Sequence, residues 1–236
     1  MTALVLSPHF DDAVLSCADW LERHPGAIVA TVCSGAPGAG IPADPAWDAL
    51  ALFDSADDAA TARRSEDLAA LGMLGAEQRL LGFLDGAYKA RAGRSHEDPG
   101  ANRSFEEELS RSINGLLDEV RPDECLIPVG LLHPDHIATR RAALDSLRAR
   151  PNIRTTLYLD LPYAIASEAA ARDQLDAIVA SGVPLSEDPV PPPSTGEVKK
   201  RAAGCYRSQL PLLEKVFGGM LWRSLEPGAE RLFRME

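Results

Sequence analysis

The chain has 236 residues, a formal net charge of −11, and 45% hydrophobic against 25% charged residues. That length favours a single domain, 1–236, with a sizeable core, and the acidity disfavours nucleic acid and anionic lipid as partners. No apolar run of about 18 residues marks a membrane span, and no basic-then-apolar leader opens the chain, so a cytoplasmic protein acting on a small molecule is expected.

Short apolar runs alternate with amphipathic segments. The first run, 3–6, reads as a strand, and 12–24 reads as a helix stopped by Pro25 and Gly26. A strand follows over 27–34, then a helix over 61–75 with Gly75 placed to end it, then a strand over 79–84. The segment 104–120 reads as a helix whose Ser104 and Glu107 fit a capping box. A strand over 124–129, a helix over 135–149 and a strand over 155–161 complete the pattern. Such alternation predicts an α/β fold: a Rossmann-like three-layer sandwich with a mostly parallel sheet. Three stretches rich in glycine, proline and charge, 35–58, 85–103 and 184–197, break the rhythm and are expected to be long lid or binding loops.

The four cysteines, Cys17, Cys33, Cys125 and Cys205, are scattered without a C-x-x-C pair, which suits reduced thiols rather than a disulfide scaffold or a zinc knuckle. Arginine far outnumbers lysine and alanine is abundant, which points to a GC-rich bacterial genome.

Two clusters carry chemistry. "SPHFDDAVLS" (7–16) follows the first strand, and "GLLHPDHIA" (130–138) follows the strand over 124–129. In open parallel sheets, ligands bind beyond the carboxyl ends of the strands, so three of the five histidines fall on one predicted edge. His24, at a helix end, and His96, in a loop, read as structural or solvated. A catalytic zinc needs three protein ligands and one open position. His9 and Asp12, with either His133 or His136, supply two imidazoles and a carboxylate. Adjacent Asp11 and Asp12 point differently, so one can hold metal while the other serves as general base. Helix capping alone would use one aspartate and leave His9, His133 and His136 without a reason.

"SPHFDDAVLS" together with "HPDHIA" resembles the PIG-L/LmbE family of zinc-dependent N-deacetylases, which act on N-acetylglucosaminyl and related N-acyl amino sugars. "RRSEDLAALGMLG" (63–75) and "KRAAGCYRSQ" (200–209) are similar to two further family segments. The resemblance implies that His9, Asp12 and His136 bind Zn2+ (or another divalent ion), that Asp11 is the general base, and that His133, protonated, stabilises the oxyanion and protonates the leaving amine. It implies that Asp135 orients His133 and that Arg63 faces the substrate. Tyr206 stands where the family usually has histidine, Leu131 where some thiol-cofactor deacetylases have tyrosine, and Ser7, Phe10 and Ala13 also depart from the common motif. Trp47 or Phe53 in the first long loop can stack on a sugar, and Asp85 and Tyr206 are further candidate substrate contacts. An acid and a base of opposite charge state predict a bell-shaped rate profile.

Three other readings compete. A non-haem iron oxygenase shares the ligand types, but its usual scaffold is all-β. A Rossmann-type methyltransferase is disfavoured because the first strand–helix turn carries no G-x-G-x-x-G. A non-catalytic carbohydrate-binding protein on the same scaffold would have no need of all five motif residues.

Overall fold

The computed structural model describes residues 1–44, 46–91, 99–189 and 197–236. Its centre is β1 (Ala3–Ser7), five residues buried throughout. Side chains alternate across a strand, so Val5 enters one core with Ala13, Val14 and Cys17, while Leu4 and Leu6 enter the other with Leu109, Ile113 and Ile127. β2 (Ile28–Thr31) lies on one side of β1 and β4 (Glu124–Pro128) on the other, both parallel, with Val5 opposite Val29 and Leu126. β3 (Glu77–Leu80) extends one edge, and β5 (Arg154–Tyr158) the other. The seven-stranded order is β3-β2-β1-β4-β5-β7-β6, with β7 (Leu232–Met235) antiparallel to both β5 and β6 (Leu185–Asp188).

Helices cover both faces. One face carries α1 (Asp12–Leu21), α2 (Ala56–Met73), α8 (Glu197–Ala203), α9 (Leu210–Phe217) and α10 (Gly219–Ser224). The other carries α4 (Pro99–Val120), α5 (Pro134–Leu147) and α7 (Glu168–Ala180). Two short helices, α3 (Gly86–Arg91) and α6 (Tyr163–Ala166), lie between strand ends and longer helices. This is the α/β sandwich that the alternation predicts.

Several boundaries differ from the pattern. α2 starts at Ala56, inside the first expected loop: Ser55 caps it by accepting from Asp58 N–H at 3.1 Å, and Asp57 and Asp58 suit the first turn. α4 starts at Pro99, not at Ser104, because proline at the first helical position loses no internal hydrogen bond. The second loop therefore narrows to a segment whose residues 92–98, including His96, lie outside the described residues. In the third, Leu185–Asp188 forms β6, and residues 190–196 lie outside the described residues. Among the described residues no helix is long and apolar enough to cross a membrane.

Candidate active site

The chain leaves β1 towards β2 and β3, and leaves β4 towards β5, so the strand order reverses between β1 and β4. A crevice opens beyond the strand ends at such a switch point. Both histidine clusters converge there.

On the β1 side, Ser7 Oγ donates to His9 carbonyl at 2.6 Å and accepts from Ala13 N–H at 3.0 Å, which folds the 8–11 turn back on itself. The first helical turn then brings Asp12 under His9: Asp12 Oδ2 accepts from His9 backbone N–H at 2.8 Å and lies 3.2 Å from its Nδ1. Asp11 occupies the capping position of α1, yet its carboxylate makes no capping hydrogen bond. It is left for the cavity that it lines.

On the β4 side, Gly130 turns the chain with φ +81°, and a Cβ there would stand 3.2 Å from His136 carbonyl and Ile137 Cα. Only glycine lets the first turn of α5 come this close. His133 caps that helix, its Nδ1 accepting from Asp135 N–H at 3.2 Å, which leaves Nε2 to carry the ring proton. His136 is fully buried, 3.2 Å by its Nε2 from the same Asp12 Oδ2, and paired through Nδ1 to Asp160 Oδ1 at 2.6 Å. Asp160 Oδ2 accepts from Gly130 N–H at 2.9 Å, tying β5, β4 and α5 together.

One atom in this cluster stands apart. His136 Nε2 is buried and has no properly aligned hydrogen bond, although Asp12 Oδ2 is near. Ligands about 2.0–2.2 Å from a tetrahedral zinc stand about 3.3–3.6 Å from one another. The two 3.2 Å separations across Asp12 Oδ2 are close to that spacing. Charge agrees. Burial works against a charged His9, but Asp12 and Asp135 outweigh it and raise its pKa well above the usual imidazole value. Burial likewise opposes a charged His136, whose pKa Asp12 and Asp160 nevertheless raise to about 9. Asp12, despite its burial, is driven far below the carboxylate range by His136 and His9. The two imidazolium protons thus stand in for the charge of a dication, and binding one would displace them. The donor set fits zinc.

Asp11 behaves differently from its neighbour. Burial, then the charge of Asp12, raises its pKa to about 6. A carboxylate so placed is a better proton acceptor than an ordinary one and is still ionised at neutral pH. His133 moves the other way, to about 3, through burial and then the charges on His9 and His136. Beside two charged imidazoles the His133 ring is thus held neutral.

Asp135 also departs from expectation. Its carboxylate bonds to His9 Nε2 at 3.2 Å, Gly86 N–H at 3.0 Å and Lys89 Nζ at 2.6 Å, and meets His133 Nδ1 only at 4.0 Å. It orients His9, and its hydrogen bond to His133 comes from its backbone N–H. Tyr206 is wholly buried away from the cavity, its hydroxyl 2.7 Å from Asp67 Oδ1 and 2.9 Å from Phe10 carbonyl. It braces the motif loop from behind instead of touching a substrate.

A cavity of about 370 Å³ opens over the cluster, lined by Trp47, Arg63 and Asp85 and by the apolar walls of Phe10, Tyr163 and Phe217. Arg63 pairs with Asp48, and Tyr88 donates to the same carboxylate, so α2 and α3 hold the 35–55 loop over the opening. Asp160, Lys89 and Cys33 escaped sequence reasoning. Asp160 sits inside what reads as a strand, and Lys89 and Cys33 belong to no recognisable spacing.

Among the described residues two groups bring metal-ligating atoms within 4.8 Å of one another: His9 with His133 and His136, and His9 with Cys33 and Asp135.

The sequence profile of a family described as PIG-L, GlcNAc-PI de-N-acetylase, matches residues 4–147. The A40926 pseudoaglycone deacetylase Dbv21 superposes with a TM-score of 0.78 at 29% identity, over 99% of this chain and 96% of its own. The zinc-inhibited form of the teicoplanin deacetylase Orf2 gives 0.80 at 26% identity, over 100% and 98%. A deacetylase of the teicoplanin biosynthesis pathway in complex gives 0.81 at 27%, over 100% and 98%. No curated protein sequence matches the chain.

Proposed function

The chain belongs to the PIG-L family and is a zinc-dependent deacetylase, and we propose that its substrate is an N-acylated amino sugar borne on a larger, partly apolar small molecule. His9, Asp12 and His136 hold the metal, and Asp11 is the base. The observation that carries this ligand set is Asp12 Oδ2, equidistant at 3.2 Å from His9 Nδ1 and from the orphaned His136 Nε2. His133 is the other imidazole within reach. Its Nδ1 is committed to the first turn of α5, and its half-buried ring faces the cavity, which suits a hydrogen-bond donor better than a ligand.

Zinc, when bound, polarises the acyl carbonyl and acidifies a water molecule. Asp160 fixes the His136 ring by accepting from Nδ1, so that Nε2 presents its lone pair. Asp135 does the same for His9 from the opposite side. Asp11 takes the water proton at its uncapped carboxylate and returns it to the amine nitrogen as the C–N bond breaks. His133 donates its neutral Nε2–H to the developing oxyanion, in place of the proton transfer first expected of it. The rate should therefore rise along one acid limb, at or below about pH 6, set by Asp11. A bound dication pushes both groups lower still, so His133 adds no alkaline limb.

The cavity supports the substrate class. Trp47 offers a flat face for a sugar, while Phe10, Tyr163 and Phe217 offer wall for an apolar carrier. Arg63 and Asp85 add polar groups to the cavity lining, which suits a hydroxyl-bearing substrate. Related deacetylases are named for A40926 pseudoaglycone and for the teicoplanin pathway, which fits an acylated group borne on a larger molecule. The test compares amine release from free N-acetylglucosamine with release from an N-acetylglucosaminyl glycopeptide pseudoaglycone, before and after chelation. Faster turnover of the conjugate, lost on chelation and restored by zinc, is expected. Equal turnover of the free sugar would contradict the proposed role of the apolar wall.

A further inference from the structure

His9 presents its two ring nitrogens to two different carboxylates: Nδ1 faces Asp12 and Nε2 faces Asp135, each at 3.2 Å. Cys33 is buried just beyond β2, with its Sγ within 4.8 Å of a ring nitrogen of the same imidazole. Its backbone N–H donates to Pro8 carbonyl at 2.9 Å, which holds this segment against the motif loop. We propose that His9, Cys33 and Asp135 form a second, alternative seat for a soft divalent cation, and that a cation held there disarms the zinc site.

Ligating atoms of these three residues all lie within 4.8 Å of one another. One sulfur, one nitrogen and one carboxylate oxygen make a softer set than two nitrogens and an oxygen, so thiophilic cations such as cadmium favour it. Lys89 Nζ, 2.6 Å from Asp135 Oδ1, opposes a second positive charge. Only a cation that gains a strong bond to sulfur overcomes that repulsion. Binding forms an Sγ–metal bond and releases the thiol proton, with any proton on His9, to solvent. A neutral imidazole has one lone-pair nitrogen, so a cation at Nε2 leaves the ring proton on Nδ1, and only Asp12 and His136 remain as protein ligands of the first seat. The enzyme is then inactive for want of a ligand, with no loss of fold. This inference shares His9 with the proposed zinc site but not its other members.

The test is spectroscopic. Cys17 and Cys125 are wholly buried in the cores, and Cys205 is the remaining partly exposed thiol, so a Cys205→Ala chain is stripped of metal and titrated with cadmium. A thiolate-to-cadmium charge-transfer band should grow in the ultraviolet and saturate at one equivalent. Adding Cys33→Ala, or the closer match Cys33→Ser, should abolish it. No band in the Cys205→Ala chain, or a band that survives removal of Cys33, would overturn the proposal. Equilibrium dialysis separates the two sites: the Cys33→Ala chain should still bind one cadmium, lost on His136→Ala. If it binds none while the band is present in its parent, the zinc reading fails and the Cys33 seat stands.

Discussion

In the proposed metal site, Asp160 is what makes His136 usable as a ligand. By accepting from Nδ1 at 2.6 Å it fixes both the tautomer and the ring plane, and the opposite nitrogen is left buried without a bond. Asp160→Ala should weaken zinc affinity by roughly 10–100-fold while sparing the ligands themselves. Competition with a chelator measures this, and an unchanged affinity would remove Asp160 from the metal's support. Asp11 and Asp12 are adjacent yet driven in opposite directions, one raised to about 6 and the other held far below its usual value. Those opposite environments are the basis for proposing one side chain as base and the other as ligand. Asp11→Asn should lower kcat by roughly 10²–10⁴-fold and leave one zinc per chain by metal analysis. A metal-free Asp11→Asn protein would reverse that assignment.

At the scale of elements, the motif loop is held from two sides. Ser7 closes it from β1, and Tyr206, just past α8, donates from behind towards Phe10 carbonyl and Asp67. Tyr206→Phe should strand buried acceptors at a cost of about 1–3 kcal/mol, read as a lower denaturant midpoint. Unaltered stability would show that the loop does not lean on this hydroxyl. The same contacts show what a sequence can reveal. β1, β4 and the helices after them were legible because an apolar run followed by a histidine–aspartate cluster marks a strand end at a site. Ser55 with Asp57 and Asp58 is a start signal for α2, but it lies within the glycine- and proline-rich run 35–58, whose composition reads as loop. β6 was not legible: "LSED" is a four-residue, half-exposed edge strand with no apolar alternation. Tyr206 and Asp160 escaped for a different reason. Their roles depend on partners 139 residues and 24 residues away in the chain, which local spacing cannot supply.

For the molecule as a whole, the reversal of strand order between β1 and β4 brings residues 9–12 and 133–136 over one crevice, and the two cores hold those strands in place. The site carries buried charge, so pH enters stability as well as rate. Burial raises Asp67 from 3.8 to about 7. As pH rises from about 4 to about 7 the unfolded chain loses that proton first, so the group's contribution to stability falls through this window and is level above it. Metal-free protein should unfold at lower denaturant near pH 8 than near pH 5, and Asp67→Asn should reduce the difference; an equally steep variant would exclude Asp67 as a source.

Where zinc binds decides between these roles. Anomalous diffraction at the zinc edge, from crystals loaded with one equivalent, should give one peak coordinated by His9, Asp12 and His136, with the Asp11 carboxylate close by and unligated. A peak held by other residues, or none at all, would contradict it.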